Sequence, residues 1–282
     1  MIRLVSWNID KRVKPWRDLK KMAHRKEVDV ALLQEAGSPP GDLAHMIQVE
    51  DDVFWSRHLH DRWPLVAGLS DRVKVEGFRQ VPPTSELGEG EIGVSGIGTM
   101  AVAKTTPLSR PEEEFLAVSM YARWMKPHPS TRSVWKGASD VSAHRILSDL
   151  SAFVGHSDPE KHRILAAGDL NMFYGATCGP LSLPERERTV WSRFKALGLE
   201  FLGPQAPDGR PAAVRQPDVD ANTRNVPTCR TRQQSPAEAN RQLDYVFASR
   251  GFHELVTTRA LNGIDEWGSS DHCRILIEVD TG

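Results

Sequence analysis

Several features that would place a chain quickly are missing from this one. Of its 282 residues only three are cysteine. Cys178, Cys229 and Cys273 are widely spaced and form no CxxC pair, so neither a zinc knuckle nor a dithiol redox motif is supported. The odd, sparse count suits a reducing compartment. Neither sign of charge is in excess: 36 Lys and Arg face 37 Asp and Glu, for a formal net charge of −1. The global basic character of many nucleic-acid binders is therefore lacking, and any such binding has to rest on a local patch. No apolar run approaches the roughly 18 residues needed to cross a bilayer. No signal-peptide pattern follows Met1, and no amphipathic basic helix marks a membrane-surface protein. The expectation is a cytoplasmic protein that does not engage membranes. Repeats and low-complexity tracts are lacking too. Glycines 88, 90, 93, 96 and 98 are crowded together, but no helix with a Lys-Ser/Thr start follows them, which excludes a P-loop and leaves a loop or hairpin.

What is present is an ordinary folding composition, 39% apolar and 26% charged. The length is ample for a buried core, and no interior linker divides it, so residues 1–282 are expected to form one domain. The chain begins strand, helix, strand. Ile2 to Asn8 and Val28 to Gln34 are short apolar runs of strand type, each ending in a polar residue, Asn8 and Glu35. Between them Pro15 suits a helix start, and Trp16, Leu19 and Met22 recur at helical spacing. A short helix is expected from Gly41 to Val49, then a loop with short strands from Asp51 to Pro64. Further strands are expected at Val73–Phe78, Thr99–Ala103 and Phe115–Tyr121. Helices are expected from Ser139 or Asp140, as cap, to about Val154, and over Pro184–Leu197. The stretch from Pro204 to Ala239 is irregular and carries Arg210, Arg215, Arg224, Arg230 and Arg232, which makes it the best local candidate for a polyanion surface. Strands return at Leu243–Ser249, at Val256–Leu261 as its neighbour, and at Cys273–Val279.

The run Ile164-Leu-Ala-Ala-Gly-Asp-Leu-Asn171 reads as a buried strand that presents Asp169 and Asn171 at its end, two apart and so on one face. The polar residues at strand ends then make one set: Asn8, Glu35, Tyr121, Asp169, Asn171, Asp244, Asp271 and His272. Asp244, early in an apolar strand, needs a partner, and His272 is the obvious one. Hard oxygen donors of this kind suit Mg²⁺, which keeps waters and substrate phosphate in its shell. A phosphoester hydrolase needs such an ion, a positioned water, a base, and donors for the charged oxygens of the transition state.

Five short motifs carry a resemblance: Ser6-Trp-Asn8, Leu33-Gln-Glu35, Gly168-Asp-Leu-Asn171, Leu243-Asp-Tyr245 and Ser270-Asp-His272. In this order, each at an expected strand end, they resemble the endonuclease/exonuclease/phosphatase superfamily, which includes apurinic endonucleases, DNase I, inositol polyphosphate 5-phosphatases and neutral sphingomyelinases. The resemblance implies an α/β fold: a four-layered αββα sandwich of two mainly antiparallel sheets with the site at one sheet edge. It also implies roles. Glu35 would be the principal ligand of Mg²⁺ (Mn²⁺ as substitute), with Asn8 beside it and Asp271 as an additional metal-site carboxylate. Asp169 would orient or deprotonate the attacking water, and Asn171 would hold that water or a phosphoryl oxygen. His272, oriented by Asp244, would contact the scissile phosphate. Tyr121 matches a phosphate-contacting tyrosine of the apurinic endonucleases. It is followed by Ala122-Arg123-Trp124 rather than by the Pro and Asn common there, which leaves the substrate class open. Arg123, Arg230 and Arg232 are the candidates for binding substrate. The leading expectation is a metal-dependent nuclease acting on DNA or RNA. The alternative is a phosphatase or phosphodiesterase on a small or lipid-linked phosphoester, and a non-catalytic scaffold is disfavoured by the complete polar set.

Overall fold

The computed structural model describes residues 1–44, 63–95, 99–124, 126, 128–131, 139–154, 158, 161–177 and 183–282. The expected end of the first short helix, Trp55, Arg132, Trp135, Lys136 and Cys178 lie outside the described residues. The strands, in chain order, are β1 (Ile2–Asn8), β2 (Val30–Ala36), β3 (Trp63–Gly68), β4 (Val73–Gly77), β5 (Arg79–Val81), β6 (Glu91–Gly93), β7 (Met100–Pro107), β8 (Phe115–Tyr121), β9 (Ile164–Asp169), β10 (Leu199–Gly203), β11 (Asp244–Ser249), β12 (Val256–Leu261) and β13 (Arg274–Val279). The helices are α1 (Val13–His24), α2 (Gly41–Ala44), α3 (Asp140–Leu150) and α4 (Pro184–Ala196).

Two sheets hold nearly all of the strands. One runs β12-β13-β1-β2-β3 and the other β10-β11-β9-β8-β7-β4. Each is antiparallel except for one central parallel pair, β1 with β2 and β8 with β9. Alternation along the strands decides what each face meets. In β1, Leu4 joins a core between the sheets that includes Leu32, Ala117, Leu165 and Val246. Its neighbours Val5 and Trp7 point the other way and pack with Trp16, Leu19 and Met22 of α1. The outer face of the second sheet buries Val118, Met120 and Phe247 under Ile146 and Leu150 of α3 and Val190 and Phe194 of α4. Phe194 and Phe247 stack face to face with ring centroids 3.9 Å apart. Central strands are thus covered on both faces, which is why they read as continuous apolar runs. The result is the αββα sandwich that the sequence implied.

Three expectations need correction. β12 is not the neighbour of β11: it pairs along its full length with β13, in the other sheet. Gly251, at φ +83°, and Phe252, which packs between the sheets against Phe115, carry the chain from one sheet to the other. β10 was not anticipated, because its five residues, with Glu200 among them, resemble the end of the preceding helix. The glycine-rich stretch, expected as a loop or hairpin, carries β6, which pairs parallel with β5 and so is not a hairpin partner of it. Ser139 sits at the N-cap of α3 without capping it; its hydroxyl donates to the Asn171 carbonyl (2.6 Å) and so ties the helix to the end of β9.

Candidate active site

The two parallel pairs set up the site. β1, β2, β8 and β9 end at the same rim, and their last residues reach across the gap between the sheets. Asn8 Nδ2 donates to Asp169 Oδ2 (3.0 Å) and, more weakly, to Glu35 Oε1 (3.3 Å). Tyr121 Oη–H donates to the same Glu35 oxygen (3.0 Å). Asn8 Oδ1 is held by the backbone N–H of Asp10 (3.0 Å), which fixes which end of the amide faces the carboxylates. Directly beneath, Gln34 donates to Ser119 (3.0 Å), and Ser119 donates to the Leu33 carbonyl (2.7 Å). This buried polar bridge joins the sheets one residue behind the rim.

Local backbone strain aims the side chains. Glu35 sits at φ +48° where the β2–β3 register shifts between Leu33 and Ala36. A bulge of this kind re-aims one side chain out of the strand's alternation, and a non-glycine residue in the left-handed region stores strain typical of functional positions. Asn171 is likewise at φ +50°. It lies past the end of β9, so it meets Asp169 through a turn and not through strand alternation. Its backbone N–H donates to Asp169 Oδ1 (2.9 Å), and its amide Nδ2 donates to Asp169 Oδ2 (3.2 Å) and to the Ala122 carbonyl (3.1 Å). Its Oδ1 accepts from the indole of Trp124 (3.0 Å). Gly168 is obligatory for packing: a Cβ there would lie 1.9 Å from the Met120 carbonyl oxygen.

The acid–histidine half of the site comes from β9, β11 and the turn before β13. Asp244 stands directly opposite Asp169 in the β9–β11 ladder. Its Oδ2 lies 2.8 Å from His272 Nδ1, and His272 Nε2 lies 3.9 Å from Asp169 Oδ2. The main chain around this pair is pinned as well. Trp7 donates to the His272 carbonyl (2.9 Å), Ser270 donates to the Asn8 carbonyl (2.7 Å), and Thr228 accepts from the N–H groups of Leu243 and Asp244.

Burial sets the protonation of this cluster. Asp169 is pushed up to about 7, chiefly because it is buried; the nearby His272 opposes the shift and Asp244 reinforces it. For His272 burial disfavours the charged form, but the adjacent Asp244 carboxylate and Cys229 more than reverse this and hold the imidazole well above its ordinary value. A base near neutrality beside a persistent imidazolium is an acid–base pairing suited to hydrolysis at physiological pH.

Asp169, Asp244 and His272 bring potential ligand atoms within 4.8 Å of one another. An imidazole held protonated by Asp244 offers no lone pair to a metal, however. The donor set that fits Mg²⁺ or Mn²⁺ is the oxygen one, Glu35 and the neighbouring acids; the Asn8 amide turns its NH₂ toward them and its oxygen toward the Asp10 N–H, so in this arrangement it orients the carboxylates and is not itself a ligand. One carboxylate oxygen in this set, Asp244 Oδ1, is buried without a hydrogen-bond partner.

The remaining sequence candidates fall in different places. Asp271 accepts from Ser270 (3.1 Å), and its carbonyl accepts from the Arg230 N–H (3.0 Å). Arg123 follows Tyr121 and Ala122 at the rim and ties to α3 through its N–H to Ser142 (3.1 Å). Arg232 is 72% exposed and reaches Asp10 (3.3 Å), the residue whose N–H holds Asn8. Arg230 directs its guanidinium at the carbonyl of Gln234 (2.6 Å). Arg210 and Arg224 do the same with the carbonyls of Pro236 (2.7 Å) and Ala206 (2.7 Å). Much of the arginine excess therefore fastens the irregular segment to itself.

Sequence reasoning missed Cys229, whose backbone bridges to that of His272, and the Gln34–Ser119 bridge. The latter was visible only as a glutamine inside an apolar run. Trp124, 52% exposed yet anchored on Asn171, was quoted only as part of a departure from a motif.

Two face-to-face sheets, a shared rim and acids on the ends of paired parallel strands define the DNase I-like, endonuclease/exonuclease/phosphatase fold. No family model matches the chain, and no curated protein matches it by sequence. The likeness is one of structure. The endonuclease domain of TRAS1, a telomere-specific non-LTR retrotransposon, superposes with a TM-score of 0.61 at 16% identity over 99% of this chain and 98% of that one. An AP endonuclease from Archaeoglobus fulgidus gives 0.61 at 12% identity over 100% of both chains. An endonuclease/exonuclease/phosphatase from Bacteroides vulgatus gives 0.59 at 15% identity over 99% of both. At such identities the likeness establishes the fold.

Proposed function

We propose that the chain is a divalent-metal-dependent phosphodiesterase that cuts nucleic acid. The observation that carries this reading is the joining of Asn8, Glu35 and Tyr121 on one side to Asp169, Asp244 and His272 on the other through Asn8, which donates to both Glu35 and Asp169. The endonucleases among the structures of the same fold support the polymer substrate, as does Trp124, a half-exposed indole at the rim of a type that stacks on bases.

The roles follow from the geometry. Asp169 holds the attacking water and takes its proton as the water oxygen bonds to phosphorus; the bond from phosphorus to the leaving sugar oxygen breaks, and that oxygen takes up a proton from solvent. His272, charged and oriented by Asp244 through Nδ1, donates from Nε2 to a non-bridging phosphoryl oxygen. Tyr121 and Asn8 fix the Glu35 carboxylate. Asn171 keeps Asp169 in place through two hydrogen bonds, which makes it a positioning residue in this arrangement. Glu35, with the neighbouring acids, would hold the metal, which supplies charge neutralisation on the phosphoryl group when bound.

The test is a panel of single- and double-stranded DNA, abasic duplex, RNA and small phosphoesters, incubated with Mg²⁺ or Mn²⁺ and with chelator. Asp169→Asn is the control. Chelator-sensitive cutting of a polymer, lost in the variant, is expected. Polymers left intact while a small phosphoester is hydrolysed would overturn the nucleic-acid assignment.

A further inference from the structure

The segment between β10 and β11 encloses a cavity of about 240 Å³ that the acid–histidine cluster does not use. One set of lining residues is apolar: Phe173, Val219 and Val226. The other is made of hydrogen-bonding groups, among them Gln216, Asn225 and Arg215. Two polar atoms of these residues are buried without a partner, the Gln216 Nε2 donor and the Asn225 Oδ1 acceptor. Gln216 is only 7% exposed. Asn225 is oriented by its own Nδ2, which donates to the Tyr174 carbonyl (2.8 Å), so Oδ1 is the end left over. Leaving such groups unsatisfied is costly unless a ligand satisfies them.

The cavity is built onto the catalytic rim. Phe173 is two residues past Asn171, and Gln242, also in the lining, is two residues before Asp244, a reach of at most about 7 Å in each case. Tyr245 Oη–H is shared by the carbonyls of Met172 and Gln242 (2.8 Å each), which ties these two approaches together. The wall is also preformed. Ala176 bridges to Val219, Thr177 donates to the Asp218 carbonyl (2.8 Å), and Asp220 donates to the Gly175 carbonyl (2.9 Å). A Cβ on Gly175 would fall 2.4 Å from Thr223, so the two turns approach as closely as glycine permits.

We propose that this cavity is a nucleobase subsite, which receives the base of a nucleotide beside the phosphate being cut. A bare phosphate or sugar would not use the Phe173 and valine wall, and an acyl chain would not use the amides. A planar heterocycle with donors and acceptors on its edge uses both, and the volume, below the usual range for drug-sized ligands, suits one base. A base seated there cannot be paired, so the site selects unpaired nucleotides. The proposal deepens the nuclease reading and rests on it for the polymer.

The test is binding in chelator, where no turnover is needed. A short fluorescent single-stranded oligonucleotide is compared with an all-abasic phosphodiester chain of equal length, for the wild type, Gln216→Leu and Ala212→Leu. The first variant removes the unpaired donor at nearly equal volume, and the second fills the cavity from its lining. Each should weaken the base-bearing strand about tenfold, the worth of one buried hydrogen bond, and leave the abasic chain unchanged. A parallel arm compares a nucleoside 5′-monophosphate with ribose 5-phosphate. Base-dependent binding there, without a base effect on the strands, would assign the subsite to free nucleotides. Equal affinity for base-bearing and base-free ligands in both arms, or variants that weaken both ligands alike, would overturn the proposal. Absence of cleavage in the panel above would remove the nuclease reading and leave this binding result standing.

Discussion

The rim and the irregular segment from Pro204 to Ala239 treat polar groups in opposite ways. On the rim, side chains bond to side chains of other elements: Asn8 to Asp169, Tyr121 to Glu35, and His272 to Asp244. In the segment they bond largely to carbonyls of the segment itself, as Arg210, Arg224 and Arg230 do. The rim concentrates like charge and backbone strain, with Glu35 and Asn171 at positive φ and a buried acid raised to about 7. The segment offsets its charge locally and encloses a space. The difference separates two tasks: the strained, over-determined groups do chemistry, and the self-satisfied ones hold a shape that a substrate can enter.

The largest expected effect tests the rim. Asp169→Asn removes the proton acceptor and should lower turnover about a thousandfold, and His272→Ala should cost about a hundredfold or more by deleting a transition-state donor. Single-turnover rates under saturating metal measure both. A rate within a few-fold of wild type in either variant would dissolve the distinction between rim and segment. Tyr121→Phe removes one hydrogen bond to Glu35 and should cost about tenfold. Part of that loss should be recovered at raised Mg²⁺ if Glu35 holds the metal, and a loss indifferent to metal concentration would assign Tyr121 to the phosphate instead.

The arginines sharpen the comparison from the other side. Arg232 is exposed and pairs with Asp10. Arg232→Ala should leave the unfolding midpoint unchanged and reduce the slope of log affinity for single-stranded DNA against log salt by about one. Arg210→Ala should do the reverse. It removes part-buried hydrogen bonds to the Asn262 and Pro236 carbonyls, at a cost of about 1 kcal/mol in stability, with the salt slope intact. Were both to change the slope, the segment would be a phosphate-binding surface after all.

How much of this was legible in the sequence follows the same division. The strands that end in Asn8, Tyr121 and Asp169 begin and end where the apolar runs do, because strands covered on both faces are apolar along nearly their whole length and short enough to exclude a helix. The motif residues at their ends marked the rim directly. What sequence could not give was how the rim is closed. Asn171 reaches Asp169 through a left-handed turn, Glu35 is turned by a bulge, and β12 crosses to the other sheet on a single glycine. These are backbone events set by tertiary packing, and residue type announces them weakly. The segment was legible only as composition. Five arginines suggest a polyanion surface, and only coordinates reveal that three of them face carbonyls of the segment itself.

The smallest expected effect concerns stability, and it turns on the sign of the Asp169 shift. An unfolded aspartate titrates near ~4, and the folded one is raised to about 7. Between these values the folded chain holds a proton that the unfolded chain has released, so the contribution of this residue to stability falls as pH rises through that window. His272 works in the same sense, in a higher pH window. Its raised value lends stability that is fully present below the unfolded value of ~6.5 and is lost only as pH climbs through the folded one. Asp169→Asn removes the buried charge, so without metal its unfolding midpoint should exceed that of wild type by a few degrees at pH 8 and converge on it near pH 4. Added Mg²⁺ should raise the wild type more than the variant, since a cation relieves the same repulsion. A variant less stable than wild type at pH 8 would mean that the hydrogen bonds from Asn8 and Asn171 outweigh the cost of burying the charge. The rim would then owe its arrangement to polar pairing, with no stability given up for function.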